Sequence, residues 1–188
     1  NCAKLNADTV NLVMTLDDSL EEFLAKYLAL ITGFPIGHVV HPNRFLKSDP
    51  EKMKAYEKAM EEVMDLTASG RLEVRDATHG STTAALEKWV DQARKRNPDK
   101  KIAVWLDNFH CLSDPISDPR TKYSFASKRI KLLTRLRNCF VGMTAELGKN
   151  ENRERPTRKM LKETGTIEYD ATGIIMVHNP LEVDSGTT

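Results

Sequence analysis

Residues 100–112, KKIAVWLDNFHCL, constrain this chain more than any other stretch. Two lysines lead into five consecutive apolar residues, Ile102 to Leu106, and the run ends on one carboxylate, Asp107. A short apolar run with polar bounds predicts a strand buried on both faces, which is the habit of parallel sheets. In an open α/β sheet, ligands bind in the crevice beyond the carboxyl ends of the strands, and an acid closing such a strand points there. The plain alternative is that Asp107 only caps the loop that follows.

Residues on either side supply the pattern that a parallel sheet needs. TVNLVMT at 9–15 predicts a strand, with Asp17 or Ser19 as cap for a helix whose inward face is Leu20, Phe23, Leu24, Tyr27, Leu28 and Ile31, stopped by Gly33. Residues 34–43, with Pro35, Gly37 and Pro42, read as a loop, and His38 and His41 as ordinary loop histidines with no Cys or acid nearby to complete a metal site. Asp49 and Pro50 open a highly charged, exposed helix that ends by Gly70. RLEVR at 71–75 alternates as a strand does, and Ser81 or Thr82 caps a helix over 83–96 with a buried stripe of Leu86, Trp89, Val90 and Ala93.

Beyond the central run come a loop, SDPISDP, and a basic helix over about 120–137 whose charges read as a solvated face. CFVGMT at 139–144 is an apolar strand, 148–156 a polar loop, 157–162 a short helix, GIIMV at 173–177 a last buried strand, and 179–188 a frayed end. Strands alternating with helices imply an α/β fold, a mostly parallel central sheet flanked by helices.

Composition narrows the function. With 40% hydrophobic and 29% charged residues among 188, the chain suits one globular domain. A net charge of +1 means that any surface for nucleic acid is local. Cys2, Cys111 and Cys139 lack paired metal spacing and read as reduced thiols, which fits a cytoplasmic protein. No apolar run is long enough for a bilayer and no signal peptide opens the chain, so no membrane partner is expected. Asn1 in place of Met suggests an excised fragment.

LKETGTIEYD at 161–170, led by Arg155 and Pro156, resembles the L-R-E-S-G-S-I-E-Q-D segment and its R-x-P lead-in from DnaB-family hexameric replicative helicases. The other pieces fall in that family's order. Thr15-Leu16-Asp17-Asp18 resembles S-L-E-M, whose Glu is the catalytic base, and Leu106 to His110 resembles the I-D-Y-L-Q Walker B segment. Ala145-Glu146-Leu147 resembles S-Q-L, whose Gln senses the terminal phosphate.

The resemblance implies one RecA-like ATPase domain of the P-loop NTPase type over 1–188, truncated at both ends. It implies catalytic roles for Asp17 and Glu146, and for Asp107 a role in holding the magnesium of bound ATP. Its DNA-gripping loops would place Arg120, Lys122, Lys149, Arg153 and Arg155 near single-stranded DNA in a ring. The partners it implies are further copies of the chain in a hexamer and a primase or helicase loader. Two departures stand out: Asp17 is one methylene shorter than Glu, and Glu146 is an anion where a neutral donor is usual. No G-x-x-x-x-G-K-[ST] occurs; the family's phosphate loop would lie just before residue 1. A recombinase-like or clock-like ATPase matches 161–170 less well, and a non-catalytic helicase-derived scaffold or loader is the reading that the departures motivate.

Overall fold

The computed structural model of the protein describes residues 6–148, 155–161 and 165–177. Among these residues the framework is one sheet of four strands, β1 (Thr9–Thr15), β2 (Leu72–Asp76), β3 (Lys101–Asp107) and β4 (Phe140–Met143), in the order β2-β1-β3-β4. Every pairing is parallel, and β1 runs beside β3 with Val10 opposite Ile102, Leu12 opposite Val104 and Met14 opposite Leu106. The runs at 9–15 and 102–106 therefore lie at the centre, where both faces are covered.

Between the strands run α1 (Leu20–Thr32), α2 (Ile36–Val40), α3 (Pro42–Phe45), α4 (Pro50–Ala68), α5 (Thr83–Arg96) and α6 (Pro119–Arg137), with α7 (Thr166–Asp170) after the sheet. Alternate residues of a strand face opposite sides, and the two sides of this sheet are packed differently. Val10, Leu12, Met14, Ile102, Val104 and Leu106 meet the buried stripes of α5 and α6 in the main core. Val13 and Val74 on the other side meet Leu66 of α4, while Leu28 of α1, Val39 and Ala59 form a smaller cluster further out.

Several local expectations are adjusted. Ser19, not Asp17, caps α1, in a reciprocal box with Glu22, and Gly33 ends the helix in the left-handed conformation that glycine tolerates best. The loop at 34–43 contains the two short helices α2 and α3, the second started by Pro42 at its first position. Charged α4 hides Ala59 and Leu66 on an inner face. The helix at 157–162 is a single 3-10 turn, Arg158–Met160.

The strand expected at 173–177 is a correction. The segment pairs with no described strand, and Ile175 and Val177 are 91% and 81% exposed. An apolar run becomes a strand only where a neighbour supplies backbone donors and acceptors, so hydrophobicity alone misplaced it. The basic face of α6 is also less solvated than its sequence suggests: Arg129 forks onto Glu87 and Arg137 onto Asp91, both on α5. Cys2, residues 149–154 of the expected polar loop, 162–164 and the expected frayed end at 179–188 lie outside the described residues.

Candidate functional site

Because every pairing is parallel, the carboxyl ends of β1, β3 and β4 share one edge of the sheet. Backbone bonds lock these ends together. Leu16 N–H donates to the Asp107 carbonyl, Thr144 N–H to that of Leu106, and Phe109 N–H to that of Thr144. Asp107 thus emerges from the middle of the edge with its exposed carboxylate accepting a hydrogen bond from the Thr144 hydroxyl.

The turn after Asp107 builds a second layer. Asn108 accepts from His110 N–H at 3.0 Å and donates its amide to Glu146 Oε1 at 3.3 Å. Glu146 N–H in turn donates to Nδ1 of His110 at 3.1 Å, which fixes the proton of a neutral His110 ring on the other nitrogen. His110 is buried between Phe109 and Tyr123, whose hydroxyl donates to the His110 carbonyl at 3.2 Å. The sequence pattern points to Glu146 but not to the histidine that aims its backbone.

Asp17 sits at the corner after β1, exposed, and makes no hydrogen bond or ion pair with any described residue. Its neighbour Asp18 is engaged by Lys26, whose Nζ lies 2.6 Å from both carboxylate oxygens. That hydrogen bond above all raises the pKa of Lys26, with Asp107 among the smaller contributors, so the lysine of α1 reaches over the same edge.

Cys111 follows the turn after Asp107 and is half-buried. Burial pushes its thiol up first, and then Asp17, Glu146 and Asp107 each raise it further. Asp107 and Glu146 are tied to each other's neighbourhood by the Asn108 amide, and Asp17 lies on the same edge one residue beyond the Leu16–Asp107 backbone bond.

Among the described residues no three His, Cys, Asp or Glu side chains gather into a cage for a cation. A lone Asp107 beside the Thr144 hydroxyl is a hard oxygen donor set, and it fits magnesium, which keeps waters and takes its remaining ligands from phosphate. A glycine-rich backbone cradle for those phosphates is not encoded in this sequence.

Of the expected DNA contacts, Arg120, Lys122 and Arg155 fall among the described residues. Arg120 is exposed in the first turn of α6, and the Lys122 ammonium lies 4.6 Å over the Tyr123 ring. Arg155 is exposed, with no described contact to either, while Lys149 and Arg153 lie outside the described residues. Thr144, Asn108, His110, Lys26 and Cys111 are the residues that sequence reasoning passed over. Thr144 was the most accessible of them, since it is the last residue of the run 139–144 expected as a strand.

No family model and no curated protein matches the chain. Two solved structures are similar. One, described as a DnaB-like replicative helicase and its interactions with primase, aligns with TM-score 0.76 and 18% identity over 88% of this chain and 39% of that one. Another, described as an ATPase domain, aligns with TM-score 0.84 and 18% identity over 96% of this chain and 63% of that one. This chain has the fold of a DnaB-like helicase ATPase domain. It spans less than two thirds of either of those chains, and at such identity the likeness is one of RecA-like fold. Within the helicase-like fold, Asp107 ends the second of the two central strands and Asp17 follows the first.

Proposed function

We propose that this chain is part of the ATP-driven motor domain of a ring-shaped replicative DNA helicase. The observation that carries this reading is the shared carboxyl edge of β1 and β3, where Leu16 N–H bonds the Asp107 carbonyl and Asn108 holds Glu146, on a sheet with a RecA-like ATPase fold. Asp107, its carboxylate oriented by the Thr144 hydroxyl, would hold the magnesium of bound ATP. Bound magnesium supplies charge neutralisation on the β- and γ-phosphate oxygens. Asp17, with no described hydrogen-bond partner, takes the proton of a water as that water's oxygen attacks the γ-phosphorus and the bond to the β-phosphate oxygen breaks. Glu146, aimed by His110 and Asn108, stands in the phosphate-sensing position.

In this reading several copies assemble into a hexamer, and ATP hydrolysis drives translocation along single-stranded DNA and duplex unwinding in the cytoplasm. Arg120, Lys122, Lys149, Arg153 and Arg155 contact phosphates rather than bases, and a primase or loader docks on the assembly. The test is magnesium-dependent ATPase activity of the natural protein that carries this chain. Asp107→Asn and Asp17→Asn each abolish DNA-stimulated hydrolysis if the reading holds, and hydrolysis unchanged in both variants rejects the site.

A second reading is favoured by Glu146 and by the short Asp17: a non-catalytic scaffold or loader derived from such a motor. An anion in the sensing position opposes the terminal phosphate, so magnesium ATP would not bind tightly. Calorimetry separates the two, because submicromolar affinity for magnesium ATP excludes the scaffold.

A further inference from the structure

Lys26 is oddly placed for a cation with only a structural task. It stands in the second turn of α1, and the side chains of a helix lean toward its N-terminus, so a long one here points back over the corner that joins β1 to α1. At that end the helix dipole favours anions, and Glu21 and Glu22 already occupy the first turn. Lys26 Nζ nevertheless lies 2.6 Å from each carboxylate oxygen of Asp18, a residue outside the helix. The lysine side chain stays open to solvent, 56% exposed against 16% for Asp18, and an exposed pair of this kind adds little to stability.

What the pair does is hold a charge at a chosen place. Asp18 is fixed at both ends, its carbonyl by the hydroxyl of buried Thr15 at 3.2 Å and its carboxylate by Lys26. The Leu16 N–H bond to the Asp107 carbonyl stitches the same corner to the end of β3. Lys26 thereby stands over the seam between β1 and β3, near enough for the Asp107 carboxylate to stabilise its charge. Asp17, Asp18, Asp107 and Glu146 make this edge anionic, so a polyphosphate entering it is repelled unless cations meet it. An ammonium on a flexible stem is a point charge suited to phosphate oxygens.

We propose that Lys26 is a phosphate-binding residue of the crevice: Asp18 holds its ammonium ready, and the terminal phosphates of a nucleoside triphosphate draw it from Asp18 onto their own oxygens. This role rests on the nucleotide reading of the crevice and adds a residue of α1 to it. The two halves of one ion pair then act oppositely, Lys26 as the ligand's partner and Asp18 as the ligand's competitor.

Equilibrium titration of the natural protein that carries this chain separates these roles, with magnesium ATP and with magnesium tripolyphosphate as a probe lacking base and sugar. Lys26→Met is expected to weaken both ligands by about tenfold, and Lys26→Arg to recover most of that loss by restoring a cation. Asp18→Asn frees the ammonium and is expected to leave affinity unchanged or tighter. If the pair only braced the corner, Asp18→Asn and Lys26→Met would weaken binding alike and lower the thermal midpoint together. A loss from Asp18→Asn as large as that from Lys26→Met, or an affinity untouched by Lys26→Met, overturns the role of Lys26. Asp107→Asn, titrated in parallel, keeps that failure apart from failure of the crevice. Binding that survives Lys26→Met but not Asp107→Asn rejects Lys26 alone, and an unaltered protein that binds neither ligand rejects both.

Discussion

Asp107 and Asp17 close neighbouring central strands, yet they are held in opposite ways. Asp107 is gripped on both sides: its carbonyl accepts from Leu16, its carboxylate from Thr144, and the turn behind it rests on fully buried Phe109. Asp17 is exposed and bonded to nothing described. A carboxylate that orients a cation gains from rigidity, since geometry decides the metal's remaining ligands. A carboxylate that removes a proton must approach and leave its water, and the unpinned corner after β1 allows this.

The contrast is sharpest in stability. Phe109→Ala empties a fully buried aromatic site behind Asp107 and should cost about 3–5 kcal/mol, read from denaturant unfolding. Asp17→Ala should fall within about 0.5 kcal/mol of the original chain in the same measurement. Equal losses would erase the distinction between a held and an unheld acid.

Catalysis probes the other half of the comparison. If Asp17 is the base, Asp17→Asn lowers turnover of the natural protein by about 100-fold, and Asp17→Glu, with its longer reach, raises it above the original. Should Asp17→Glu be as inactive as Asp17→Asn, the corner does not serve a base. Thr144→Val removes one hydroxyl from Asp107, worth about 1 kcal/mol, and is expected to raise the magnesium concentration for half-maximal hydrolysis by about fivefold.

The smallest effect tests the shared edge directly. The Cys111 thiolate is the form that reacts, and neighbouring carboxylates suppress it. At constant mildly alkaline pH, in a background with Cys2 and Cys139 replaced by Ser, neutralising Asp17, Glu146 or Asp107 as the amide should speed alkylation of Cys111 by about two- to threefold. No acceleration in any of the three would mean that these acids do not share one crevice.

The parallel sheet was legible because its signal is redundant. Apolar runs at 9–15 and 102–106, caps at Thr82 and Asp49, and breakers at Gly33 and Pro98 all agree on element type. The run at 173–177 had only hydrophobicity, with nothing to say which strand it would join, and there the reading failed. In the candidate site, Asp17, Asp107 and Glu146 were proposed through motif order. His110 and Thr144 were not, because each acts on a residue more than thirty positions away and such pairings exist only once β3 and β4 are side by side. The interior next to them carries its own hidden constraint: a Cβ on Gly142 would come within 2.9 Å of the Trp105 ring, so β4 accepts only glycine there without displacing the indole.

Asp114 and Asp118 bracket the turn between β3 and α6. Buried Asp114 accepts from the Thr83 hydroxyl at 2.8 Å and from its N–H at 3.2 Å, tying one end to the start of α5, while Asp118 accepts from Thr121 N–H at 2.7 Å and ties the other to α6. Only Pro115, Ile116 and Ser117 remain between the two knots, a tether of about 14 Å at full stretch. A rope so short transmits a pull almost without slack. A shift of the start of α6 beyond the slack of that tether therefore moves the helix as one rod or breaks the bonds between Asp114 and Thr83.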